Sequence, residues 1–211
     1  MTKNILIFCA HSDDEAVGMA GTISKLVENG YDVYKVVFSY GESSHPHFRE
    51  EVVINKRTKE TKKASEFLGI KETIFLGMKD TKVKEDIEET NAGKIVEKIL
   101  SQYKPKKIYI PTEKDPHPDH RAVNNFVLNL IDKLKLKVPV YEYEVWNIVN
   151  ENKPMVYEDI TKYYKKKIQY MKMFSSQWQY MYALWLPVYF RSRKYGNKNN
   201  CKFAERFYKV R

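Results

Sequence analysis

Cysteine is nearly absent from this sequence: only Cys9 and Cys201 occur among its 211 residues. Two cysteines cannot make the disulfide framework of a small secreted domain. Both also stand outside the histidine and aspartate clusters described below, which argues against a closed structural zinc site. Cys9 lies in an apolar run that reads as a buried strand, a setting that fits a reducing compartment. Long hydrophobic runs are missing too. No stretch approaches the roughly 20 apolar residues that span a bilayer. The apolar run over residues 5–10 meets charge too soon for a signal peptide, so the expected location is the cytoplasm. Internal repeats, low-complexity tracts and linkers are absent as well. The length is ample for one compact domain and short for two. One domain over 1–211 is therefore expected, with a helical, aromatic-rich segment from about residue 155.

Acidic charge is in deficit: 27 Asp and Glu face 37 Lys and Arg, a net charge of +10. Such a balance favours acidic partners, whether nucleic acid, anionic lipid or a phosphorylated substrate. The lysines are spread along the chain (Lys59, Lys62, Lys63, Lys104, Lys106, Lys107, Lys165, Lys166, Lys167), which reads first as a solvated surface. No nucleic-acid-binding motif and no basic–aromatic alternation along a strand is found, so nucleic acid is not an expected partner.

Strand-like and helical patterns alternate through the first two-thirds. Residues 4–10, 32–39, 73–76, 107–111 and 140–146 read as strands, and 15–29, 49–68, 92–103 and 119–134 as helices, with Gly30 and Gly69 as stops. This alternation predicts an α/β, Rossmann-like three-layer sandwich with a mainly parallel sheet. The last third is different. Residues 161–174 read as a basic helix, and 177–190 (QWQYMYALWLPVYF) is dense in aromatics. Dense aromatics usually mean burial, so this segment is expected to pack over the sheet. The alternative is an exposed face for a lipid-linked substrate or peripheral membrane contact.

Histidine is scarce, and its placement is informative. The first strand ends not in a glycine-rich phosphate loop but in His11-Ser12-Asp13-Asp14-Glu15, and the 107–111 strand is followed by Asp115-Pro116-His117-Pro118-Asp119-His120. Carboxylates in a first helical turn can be explained by capping and the helix dipole. A histidine leading two aspartates off a buried strand cannot. Ligands of open α/β sheets bind at the carboxyl ends of the strands, so both clusters should meet at one edge. His45 and His47 follow the second strand there as well. Imidazole with carboxylate suits Zn²⁺ or another borderline divalent transition metal. A two-histidine, one-carboxylate set leaves a position open for water, as catalytic sites do.

The HSDDE and HPDH pair, each in strand-then-helix context, resembles the PIG-L/LmbE family of metal-dependent GlcNAc de-N-acetylases. Ser12 stands where that family usually has proline. The similarity continues through Gly18–Gly21, Gly41-Glu42, Arg57…Glu60…Ala64…Leu68-Gly69, Ser176-Gln177 and Ala204-Glu205. By this resemblance His11, Asp14 and His120 are the metal ligands and Asp13 is the general base. His117 is the imidazolium facing the oxyanion, Asp119 the carboxylate orienting it, and Arg57 and Glu42 line the sugar site. The implied reaction is hydrolysis of the N-acetyl group of an N-acetylglucosamine-containing substrate (a small-molecule sugar conjugate, an oligosaccharide or a glycolipid), with Zn²⁺ as cofactor. The alternatives are hydrolysis of another N-acyl amide at the same centre, or metal or glycan binding without turnover. The last would need neither Asp13 nor His117.

Overall fold

The computed structural model describes residues 3–44, 47–149 and 152–211. Its seven strands are β1 (Asn4–Cys9), β2 (Asp32–Ser39), β3 (Glu72–Met78), β4 (Lys107–Pro111), β5 (Val140–Tyr143), β6 (Met155–Asp159) and β7 (Ala204–Lys209). They form one sheet in the order β3-β2-β1-β4-β5-β7-β6. The first five run parallel, and β7 lies antiparallel between β5 and β6. This is the expected α/β sandwich with a mainly parallel sheet.

Alternation along β1 builds two cores at once. Ile5, Ile7 and Cys9 pack under α1 (Asp14–Gly18), α2 (Ala20–Glu28), α3 (Glu50–Leu68), α7 (Tyr164–Met171) and α8 (Trp178–Lys198). Leu6, Phe8 and Ala10 pack under α4 (Val83–Glu89), α5 (Ala92–Tyr103) and α6 (Pro118–Lys133). A central parallel strand buried on both faces is apolar throughout, as β1 is.

Several features differ from the sequence expectations, which include neither β6 nor α4. The helix expected over 15–29 breaks at Met19 into α1 and α2, next to Gly18. There a Cβ would stand 2.4 Å from Cδ2 of Tyr143, so only glycine lets the helix approach β5. Strand β7 carries Glu205 and Arg206 yet is buried, because their charges are paired inside. Glu205 accepts from Lys167 and from the backbone N–H groups of Gly21 and Thr22, and Arg206 pairs with Glu144. The aromatic segment completes the core on one face only. Met181, Leu184 and Val188 of α8 are buried, whereas Trp178, Tyr182, Leu186 and Phe190 are exposed.

The sheet order fixes where a ligand can bind. From β1 the chain crosses over one face to β2, and from β4 it crosses over the other to β5. The carboxyl ends of β1 and β4 therefore flank a switch point, where open α/β sheets place their ligands. Both histidine clusters emerge there.

Candidate active site

The loop after β1 is fastened from below by a buried ion pair. Lys35 of β2 places Nζ 2.6 Å from Glu15 Oε1 and 3.2 Å from the Ser12 carbonyl oxygen. The Tyr170 hydroxyl of α7 donates to the same carboxylate. Both Lys35 and Glu15 are fully buried. Removing one partner leaves a buried charge without compensation, which costs about 3–5 kcal/mol. Lys35→Met is accordingly expected to lower unfolding stability by about that amount. A loss under 1 kcal/mol in denaturant titration would show that the pair does not hold the loop.

The second cluster is set by the start of α6. His117 is its N-cap, with Nδ1 accepting from the Asp119 backbone N–H at 3.2 Å, and Pro118 follows in the first turn. His120 then points back toward β1. Three donor atoms converge: His11 Nδ1 lies 3.4 Å from His120 Nε2 and 3.8 Å from Asp14 Oδ1, and the last two are 3.1 Å apart. A tetrahedral ion with bonds of about 2.0–2.1 Å spaces its ligand atoms about 3.3 Å apart. The triangle therefore fits a zinc-sized cation. Behind it, Asp115 Oδ1 stands 2.9 Å from His120 Nδ1, the carboxylate–histidine arrangement that fixes a ligating imidazole. A second grouping, His11, Asp80, His117 and Asp119, also clusters. Its carboxylates already accept from the backbone N–H groups of Ser43, Thr81 and Val83.

Asp13 stands outside the triangle. Its Oδ1 accepts from Arg57 Nη2 at 3.1 Å, and the same guanidinium reaches the hydroxyls of Ser12 and Ser44. Arg57 is buried and crosses Gly41, where φ is +71° and a Cβ would meet the guanidinium at 2.8 Å. It is no ordinary charged helix face.

Three expected roles need correction. Glu42, expected at the sugar site, accepts from the Asp80 backbone N–H at 2.8 Å and from the Ser39 hydroxyl. It braces the turn after β3 rather than lining the cleft. Asp119 does not orient His117 through its carboxylate. The carboxylate accepts from the Thr81 and Val83 N–H groups and lies 3.3 Å from His11 Nε2. Burial, reinforced by the charges of His11 and His120, holds the His117 pKa below its usual value, so the expected imidazolium is not favoured either. Asp80, 3.0 Å from His11 Nε2, was not singled out from sequence, although Met78-Lys79-Asp80 leaves β3 at the same edge. His47 is exposed, and His45 lies outside the described residues.

Burial would lower the His120 pKa, but Asp14 and Asp115 outweigh it and push it up to about 9. Burial is likewise outweighed at His11, by Asp119, Asp14 and Asp80, and its pKa rises well above the usual value. With no cation present, these raised values stabilise the fold below about pH 6.5, and the contribution of His120 is lost as pH rises through about 9. A cation needs both imidazoles neutral. Calorimetric titration with Zn²⁺ at pH 7 in buffers of different ionisation enthalpy should thus report proton release, of which the share from His120 fades as pH rises through about 9. No release at pH 7 would contradict protonated ligands.

The site opens into a cleft of about 280 Å³, near the lower end of small-molecule sites. One wall is polar, with Asp13, Arg57, Asp80 and His117. The other is apolar, with Trp146, Tyr180, Met181 and Leu184 from the β5 loop and α8.

Known proteins resemble the chain in sequence and in fold. The chain is 30% identical over 141 residues to a Bacillus cereus protein named probable N-acetyl-alpha-D-glucosaminyl L-malate deacetylase 2, spanning 64% of this chain and 63% of that protein. It is 25% identical to the diacetylchitobiose deacetylase of Thermococcus kodakarensis, over 96% of this chain and 81% of that one. The fold superposes with TM-score 0.82 on GalB, the 4-carboxy-2-hydroxymuconate hydratase of Pseudomonas putida KT2440, at 20% identity, covering 100% of this chain and 97% of that one. The family model for PIG-L, GlcNAc-PI de-N-acetylase, matches residues 6–131, so the chain belongs to the PIG-L family.

Proposed function

We propose that the chain is a zinc-dependent hydrolase that removes the N-acetyl group from an N-acetylglucosamine-containing small molecule, releasing acetate and a free amine. The observation that carries this reading is the His11, Asp14 and His120 triangle beside a separate carboxylate, Asp13, in a cleft with a donor across from it. A fold shared with a hydratase does not fix the reaction, so the reading rests on the site. His11, Asp14 and His120 would hold the ion. When bound it supplies Lewis acidity, polarising the acyl oxygen and making water more acidic.

The chain's own groups do the rest. Asp13, aimed by Arg57, accepts the proton of the attacking water as the amide carbon becomes tetrahedral. His117 presents neutral Nε2–H, because its Nδ1 is taken by the Asp119 N–H. Such a donor stabilises the oxyanion by about 3 kcal/mol. The proton on Asp13 then passes to the leaving nitrogen. Arg57 and Asp80 suit sugar hydroxyls at the mouth. The buried free thiol of Cys9 supports a reducing cytoplasm. One sheet joining residues from both ends of the chain supports a single domain.

The test is a panel: N-acetylglucosamine conjugates, N-acetylated amino acids and an unsaturated acid, with acetate, amine and hydration product quantified. Acetate from the sugars alone is expected. Equal turnover of the amino acids would mean a general amidase, and hydration without acetate would reject hydrolysis.

A further inference from the structure

The net charge of +10 is not spread over the molecule. Between Ile160 and Ala204 there are ten Lys and Arg and no Asp or Glu, and the rest of the chain is balanced. This stretch comprises α7, α8 and their flanks. Within it, residues 173–190 carry no charge at all. The first turns of α8 nonetheless face solvent with Trp178, Tyr182, Leu186 and Phe190 exposed by 59–72%, and with Trp185 beside them. These positions recur every three or four residues, so they form one face of the helix. The opposite face, Met181, Leu184 and Val188, is in the core.

The apolar strip has grooves along it and lysines at its ends. Lys172 borders a groove of about 250 Å³ with Trp178, Tyr182 and Trp185, and Lys194 borders another of about 250 Å³ with Phe190 and Pro187. Lys165 and Lys198, elsewhere on α7 and α8, are exposed as well. Of the remaining cations, Lys162 and Lys167 pair with Glu28 and Glu205, and Arg191 holds the carbonyls of Val145 and Val17.

We propose that this face of α8, with its flanking lysines, docks on the surface of an anionic lipid bilayer. Exposed Trp and Tyr suit the interface between headgroups and acyl chains, and lysines above them meet lipid phosphates. No helix among the described residues is long and apolar enough to cross a membrane, so the contact is peripheral. A second copy of the chain fits this face less well. A two-fold contact would set the patch against itself and bring like charges together. Docking also has a consequence for the cleft. Tyr180, Met181 and Leu184 of the same helix line its apolar wall, so its mouth opens beside the headgroups.

The test needs no turnover and is independent of the proposed reaction. The intact protein is mixed with phosphatidylcholine vesicles, with or without phosphatidylglycerol, and followed by co-sedimentation and tryptophan emission. Each lysine near an anionic surface strengthens binding by about fivefold. The two that border the grooves, Lys172 and Lys194, should therefore favour the anionic vesicles by about 25-fold. Emission should shift to the blue, and binding should weaken as salt rises. Trp185→Glu with Phe190→Glu should abolish binding, and Lys172→Glu with Lys194→Glu should remove the preference for anionic lipid. Because all four positions are at the surface, circular dichroism should be unchanged. No binding to either vesicle, equal binding to both, or a dimer in light scattering that Trp185→Glu with Phe190→Glu dissolves would each overturn the proposal.

Discussion

Asp13→Asn is expected to lower kcat by about 10²–10⁴-fold while the protein keeps its bound ion, the range by which a positioned general base accelerates proton transfer. The division follows from geometry. Asp14 Oδ1 belongs to the donor triangle at 3.1 Å from His120 Nε2, whereas Asp13 Oδ1 is turned to Arg57. Two adjacent residues leaving a strand point in different directions, so one can ligate while its neighbour faces the reacting water. Asparagine preserves the hydrogen bond to Arg57 and the shape of the loop but accepts no proton. KM should change little. If Asp13→Asn lost metal as completely as Asp14→Ala, Asp13 would be a ligand and the assignment of base would be wrong.

His120→Ala should lose both metal and turnover, with activity falling to background. This is the largest effect expected of any single substitution. His120 is 1% exposed, and its two ring nitrogens face Asp14 and Asp115. Without the ring the triangle has only two corners, the buried Asp115 carboxylate loses its cationic partner and Asp14 keeps only His11. Destabilisation should accompany the loss of metal. Asp115→Asn separates the two effects. It keeps the ring but weakens its anchor, and a supporting carboxylate of this kind is worth about 10–100-fold in affinity. Stoichiometric metal in His120→Ala, measured by elemental analysis, would remove His120 from the site.

Much of this was legible from residue pattern. β1, β2 and β4 are apolar runs with clear stops, and the two histidine clusters follow β1 and β4 directly, so a shared edge could be read before any coordinates. What escaped has a physical reason in each instance. β7 was hidden because its Glu205 and Arg206 are neutralised by partners far away in sequence, Lys167 and Glu144. α4 offers one buried apolar residue, Val83, in a charged segment. Asp80 gave no motif, since its place depends on the turn after β3 and on Glu42 holding its N–H. The role of Asp119 was misjudged because adjacency to His117 suggested a side-chain partnership, whereas the helix start directs that carboxylate to residues 81–83. The spread of lysines along the chain masked the charge imbalance, which comes from where acids are missing.

The most direct measurement is acetate release from an N-acetylglucosamine conjugate by protein of known metal content, before chelation, after it, and after adding back one equivalent of Zn²⁺. Hydrolysis at the His11, Asp14 and His120 site predicts acetate and amine in equal amounts, loss of both with the metal, and recovery at one equivalent. Undiminished acetate release from protein shown by elemental analysis to be metal-free would contradict it.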